Sequence, residues 1–103
     1  QPFTKLLELT LSNNAIERIE GLQPLVRLKL LNLSCNRIRK IEGLSTLHKL
    51  EKLVLSSNKI ESLYPITQVF AMTEIEADSF AQLGGEDYSL RYLDIKDNKI
   101  NDL

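Results

Sequence analysis

The chain is poor in the side chains from which reactive sites are built. Its 103 residues include one cysteine, Cys35, and one histidine, His48. A lone thiol closes no internal disulfide, and nothing else ties the sequence to an oxidising compartment. His48 stands beside Lys49 with no cysteine or second histidine to share a zinc ion. No serine has a histidine–acid arrangement around it. The acidic residues are too dispersed for a calcium loop. Gly84-Gly85 is a lone pair in acidic surroundings rather than a phosphate-binding loop. No cofactor, no metal and no enzymatic activity are expected from such a set.

Two further absences narrow the partners. No apolar run approaches the roughly 18 residues of a membrane span. The formal net charge is -1, so no global basic excess advertises a nucleic-acid partner. What remains is 43% hydrophobic and 26% charged, the balance of an ordinary folded domain of one modest core. Asn32-Leu33-Ser34 fits a glycosylation sequon, a match short enough to arise by chance.

The apolar residues that are present fall in a strict order. Leu6-x-x-Leu9-x-Leu11-x-x-Asn14 recurs as Leu28-x-x-Leu31-x-Leu33-x-x-Asn36, as Leu50-x-x-Leu53-x-Leu55-x-x-Asn58, and as Leu90-x-x-Leu93-x-Ile95-x-x-Asn98. Behind each asparagine a second series follows: Ile16, Ile19, Leu22 and Leu25, then Ile38, Ile41, Leu44 and Leu47, then Ile60, Leu63, Ile66 and Val69. The Leu-x-Leu alternation has the period of a short strand with its leucines turned inward. The asparagine falls where the strand must turn away, and its amide offers both donor and acceptor to backbone groups freed there, so stacked units would align these amides in a ladder. The later apolar positions, about three apart, suit a loose helical or 3₁₀ return. Gly21 and Gly43 open that return, where a positive φ would cost little. Cys35, directly before Asn36, reads as a small apolar filler of the framework. One such unit cannot bury its apolar side alone, whereas stacked units build a continuous core.

These units, and above all Ile19-Glu20-Gly21-Leu22 and Ile41-Glu42-Gly43-Leu44, resemble the intracellular, twenty-two-residue leucine-rich-repeat family. The resemblance implies an α/β solenoid with a short parallel sheet on its concave side and helical or 3₁₀ return segments on its convex side. It further implies a cytosolic or nuclear protein that binds other proteins. A second likeness is to centrosomal leucine-rich repeat and coiled-coil proteins, carried by Leu31-Asn32-Leu33-Ser34-Cys35-Asn36 and Leu90-Arg91-Tyr92-Leu93-Asp94-Ile95. It implies a cytoplasmic place at a centrosome, basal body or cilium. Units are expected near 6–27, 28–49, 50–70 and 90–103. The start close to a strand and the end in mid-unit at Leu103 suggest a piece of a longer array.

The repeat is broken between Asn58 and Asn98, which stand 40 positions apart. Pro65 fits a first helical turn, and Ile66, Val69, Phe70, Thr73, Ala77 and Phe80 share a helical face. An insertion over 71–89 is preferred to a degenerate repeat at Met72-x-x-Ile75-x-Ala77-x-x-Phe80, which would lack its asparagine. Residues 71–89 carry Glu74, Glu76, Asp78, Glu86 and Asp87 and no lysine or arginine. Such charges keep an exposed loop soluble, or else restrict a partner's access or contact a basic partner.

Register then selects the candidate binding residues. The strand positions facing away from the core are Glu8, Leu30, Lys52 and Tyr92 in one column, Thr10, Asn32, Val54 and Asp94 in the next, and Ser12, Ser34, Ser56 and Lys96 in the third. Leu30, Val54 and Tyr92, framed by Asn32, Lys52 and Asp94, form a candidate protein-binding patch with Tyr92 as anchor. Just after the asparagines, Arg37, Lys59 and Lys99 line up as a basic ridge, with Arg39 and Lys40 beside it and Glu17 and Glu61 partly relieving it. It is either a solvated rim or a seat for an acidic partner. The expected role is a protein-interaction scaffold with cytoskeletal partners and no nucleic-acid or membrane partner. A regulatory subunit docking on an enzyme such as a phosphatase, and a purely structural spacer, are the alternatives.

Overall fold

The computed structural model of the chain describes residues 5–62 and 90–100. Four three-residue strands make one parallel sheet: β1 (Glu8–Thr10), β2 (Leu30–Asn32), β3 (Lys52–Val54) and β4 (Tyr92–Asp94), side by side in chain order. The central leucines are direct partners, Leu9 with Leu31, Leu31 with Leu53, and Leu53 with Leu93. Strands this short are stabilised by the leucines behind them more than by their own few bonds. Leu28, Leu31, Leu50 and Leu53 are completely buried, as are Ile38, Leu47 and Ile60 on the return side. The leucine columns of the strands and the isoleucine and leucine columns of the returns pack into one continuous core, which Leu6, Leu9, Leu11 and Ile16 of the first unit and Ile100 of the last join only partly.

The asparagines stand in a ladder. Asn36 donates from Nδ2 to the carbonyls of Leu33 and Ser34 in its own unit and of Leu11 in the preceding one, at 3.0–3.1 Å, while its Oδ1 accepts from the Ile16 N–H at 3.1 Å. Asn58 repeats this set with Leu55, Ser56, Leu33 and the Ile38 N–H. Asn98 repeats it again with Ile95, Lys96, Leu55 and the Ile60 N–H. Thus β3 and β4 are neighbours of the same kind as β1 and β2, although 40 positions separate their asparagines. The expected insertion at 71–89, and the helix expected from Pro65 onward, lie outside the described residues.

Two features differ from the sequence expectation. No helical return forms among the described residues. The chain comes back through isolated turns, Leu25 N–H to Leu22 C=O and Leu28 N–H to Leu25 C=O, repeated by Leu47 to Leu44 and Leu50 to Leu47. Each of these two returns is too short to repay the cost of nucleating a helix, and in the first Pro24 removes a donor as well. Cys35 is the second difference. It is exposed and not a filler, because the residue before each ladder asparagine takes a left-handed backbone: Asn13, Cys35, Ser57 and Asp97 have φ of 56–60°. That conformation turns the side chain away from the core, and its N–H crosses to the next unit, as Cys35 N–H does to Ser56 C=O at 2.9 Å.

Two comparisons test the stacking. Asn58→Ala leaves a buried N–H and several carbonyls short of partners and is expected to cost roughly 3 kcal/mol, whereas Asn14→Ala, at an exposed position that bonds only its own unit, costs roughly 1 kcal/mol. Denaturant unfolding of the two variants measures the difference, and equal losses would mean that the inter-unit bonds contribute nothing. Gly21 and Gly43 both have positive φ, 76° and 71°, but a Cβ on Gly43 would meet the Ile19 carbonyl oxygen at 2.7 Å and one on Gly21 would meet nothing. Gly21→Ala should therefore cost about 1 kcal/mol from backbone strain, and Gly43→Ala roughly twice that. Thermal melts of the pair would show the order.

Candidate functional site

The residues that repeat make the scaffold, so a site has to be sought where the units differ. On the face of the sheet turned away from the core, strand pairing sets Glu8, Leu30, Lys52 and Tyr92 across from one another, with Thr10, Asn32, Val54 and Asp94 alongside. All six predicted patch residues therefore share one face. Leu30, Val54 and Tyr92 are half-buried, and so are Asn32 and Asp94, whereas Lys52 is exposed. The three apolar groups lie low among their neighbours, each keeping accessible surface.

One contact organises this face. The Lys52 ammonium lies over the Tyr92 ring, 4.8 Å from its centroid, within the range of a favourable cation–π pair. It orients the ring and keeps a charge at the rim of the apolar positions. At the ends of β2 and β4 two short acceptors close local turns. Asn32 Oδ1 accepts from the Ser34 N–H at 3.0 Å, and Asp94 Oδ1 accepts from the Lys96 N–H at 3.1 Å. Asn32 and Asp94 are thus fixed at one end of the patch, and the sequon asparagine is part of a turn.

The basic ridge occupies a different place, beside the asparagine ladder. Arg37 N–H bonds the Ile16 carbonyl, Lys59 N–H that of Ile38 and Lys99 N–H that of Ile60, at 2.8–2.9 Å, so the three residues sit on successive rungs and all are exposed. The structure brings the ridge residues together but separates them from the sheet patch. Sequence reasoning missed the Lys52–Tyr92 pair, although the register that predicts the columns also makes these two residues neighbours. It also missed the left-handed column, for which Asn13 and Asp97 before their asparagines were the signal, since these two residue types tolerate that backbone. Among the described residues, no group of three or more His, Cys, Asp or Glu side chains is placed to hold a metal ion, and no helix is long and apolar enough to cross a membrane.

Comparison with known proteins agrees with this architecture. A family profile described as "Leucine Rich repeats (2 copies)" matches residues 4–46 and again residues 26–68. A profile described as "Leucine Rich repeat" matches residues 89–103. A comparison with curated proteins finds no match. Proteins built from such repeats generally mediate protein–protein interaction. With matched leucines, stacked parallel strands and an asparagine ladder in agreement, the chain belongs to the leucine-rich-repeat family.

Proposed function

We propose that this domain is a protein-recognition scaffold whose outer sheet face takes the partner, with Tyr92 as its anchor. The observation that carries the reading is the Tyr92 ring, held under Lys52, which stands between it and Leu30 in one column of the sheet face, with Val54 in the adjoining column. Binding surfaces concentrate their energy in such groups: an aromatic side chain of low conformational freedom, apolar neighbours that lose water on contact, and a polar rim that fixes register. Asn32 and Asp94, each held by a local turn, supply that rim.

The finer reading places the domain in the twenty-two-residue intracellular class and in a cytoplasmic, cytoskeletal assembly of the centrosomal or ciliary kind. The spacing of the first three ladder asparagines supports the class. The resemblance of the segments at 31–36 and 90–95 to centrosomal leucine-rich repeat and coiled-coil proteins supports the setting.

The double variant Leu30→Ala, Tyr92→Ala tests the proposal. Both side chains leave the core intact, so circular dichroism and melting should change little. Recovery of partner proteins from a cell extract should fall at least about tenfold, the loss expected when one hot-spot anchor and a neighbour are truncated. Unchanged recovery by a folded variant would show that this face is not the site and leave the scaffold as a spacer.

A further inference from the structure

We infer that the edge of the solenoid beside the asparagine ladder is a second binding surface, distinct from the sheet face, and that its ligand is an acidic protein segment. Arg37, Lys59 and Lys99 follow one another on three successive rungs, and strands stack about 4.8 Å apart. Like charges at that spacing repel one another. Elsewhere the chain avoids the cost: Lys29, Glu51 and Arg91, also on successive rungs, alternate in sign. Among the described residues, Arg37, Lys59 and Lys99 have no ion pair within 4 Å. The ion pair nearby joins Arg18 to Glu42 at 3.6 Å and leaves the ridge uncompensated.

The ridge also has a shape. Arg37 and Lys59 line a surface depression of about 500 Å³ together with Arg39 and Lys40, and its remaining lining residues are Glu17, Glu42 and Arg18. Every lining side chain is charged and cations outnumber carboxylates five to two, so the occupant this lining favours is anionic. Several chemistries supply anions, and the lining discriminates among them. A single-stranded nucleic acid wants aromatic side chains on which its bases stack, and none lines the depression. A membrane surface wants apolar groups to insert beside the cations, and none is present either. A continuous phosphate chain would run against Glu17. A peptide carrying separated Asp or Glu side chains places its charges on Arg37, Lys59 and Lys99 and keeps its backbone N–H groups for the interspersed carboxylate.

The experiment uses the full chain and a fluorescein-labelled decapeptide of glutamate, read by anisotropy. Binding is expected to weaken steadily as salt rises, because exposed charges are screened. Arg37→Glu with Lys59→Glu should weaken it about tenfold or more, and the milder Arg37→Gln with Lys59→Gln by a few-fold. A charge-matched control, Arg27→Glu with Lys49→Glu, alters two exposed cations that do not line the depression and should leave affinity within about twofold, since net charge alone is then not the cause. Melting curves confirm that each variant folds. The inference is overturned if the peptide does not bind, if both ridge variants keep wild-type affinity, or if the control loses as much as the ridge variants. It is equally overturned if oligothymidylate or phosphatidylserine vesicles bind more tightly than the peptide and are lost in the same variants, which would assign the ridge to a different class of ligand.

Discussion

A carboxamide offers two N–H donors and a carbonyl acceptor on a short, uncharged stem, and this fold needs all three at once. Where each strand ends, the chain turns through a left-handed residue, and the two carbonyls just before it, with one from the preceding unit, need donors. Asn36, Asn58 and Asn98 collect them, and each returns an acceptor to an N–H of the preceding unit. Aspartate has no donor for the carbonyls, and leucine has neither donor nor acceptor. Asparagine therefore recurs where the otherwise apolar interior must take in polar backbone, and it locks one unit on the next in fixed register. The leucine columns, the short strands and the alignment of the surface columns depend on that lock. Buried polar groups of this kind stay in a core only when fully satisfied, and among the described residues no buried side-chain polar atom lacks a partner.

The same logic explains what could be read from the sequence. A pattern repeated at fixed spacing fixes which residues share a column, so the inward leucines, the ladder and the positive φ of Gly21 and Gly43 were all legible. The outward columns were legible for the same reason, and all six patch residues and the three ridge residues stand where register puts them. Spacing of about three suited either a loose helical or a 3₁₀ return. It is the length of the return, with Pro24 in the first, that decides for turns. Cys35 misled because its apolar character argues for burial, while its backbone, set by its place before Asn36, turns it to solvent. Local geometry overrode side-chain preference there.

The two surfaces are built on different physical principles. The sheet face is shaped by half-buried apolar groups and one oriented ring. A partner taken there would gain affinity by excluding water, an effect that changes slowly with salt. The ladder edge is charged throughout, so a ligand there would be drawn by long-range attraction, which speeds encounter and fades with ionic strength. Because the ridge and the patch belong to different edges of each rung, one can change without disturbing the other. The rungs hold both in place with no residue shared between them.

The junction between β3 and β4 separates closeness in space from closeness along the chain. Its hydrogen bonds copy those of the earlier junctions, yet the asparagines it joins are 40 positions apart instead of 22. For a flexible chain the added closure entropy is only about 0.5 kcal/mol, since the cost grows with the logarithm of loop length. At equilibrium the last rung is held almost as firmly as its neighbours. The same term is a factor of only roughly two to three in the probability of closure. Distance along the chain is therefore a weak constraint on the sheet face, and Tyr92 reaches its column beside Lys52 at almost no added cost.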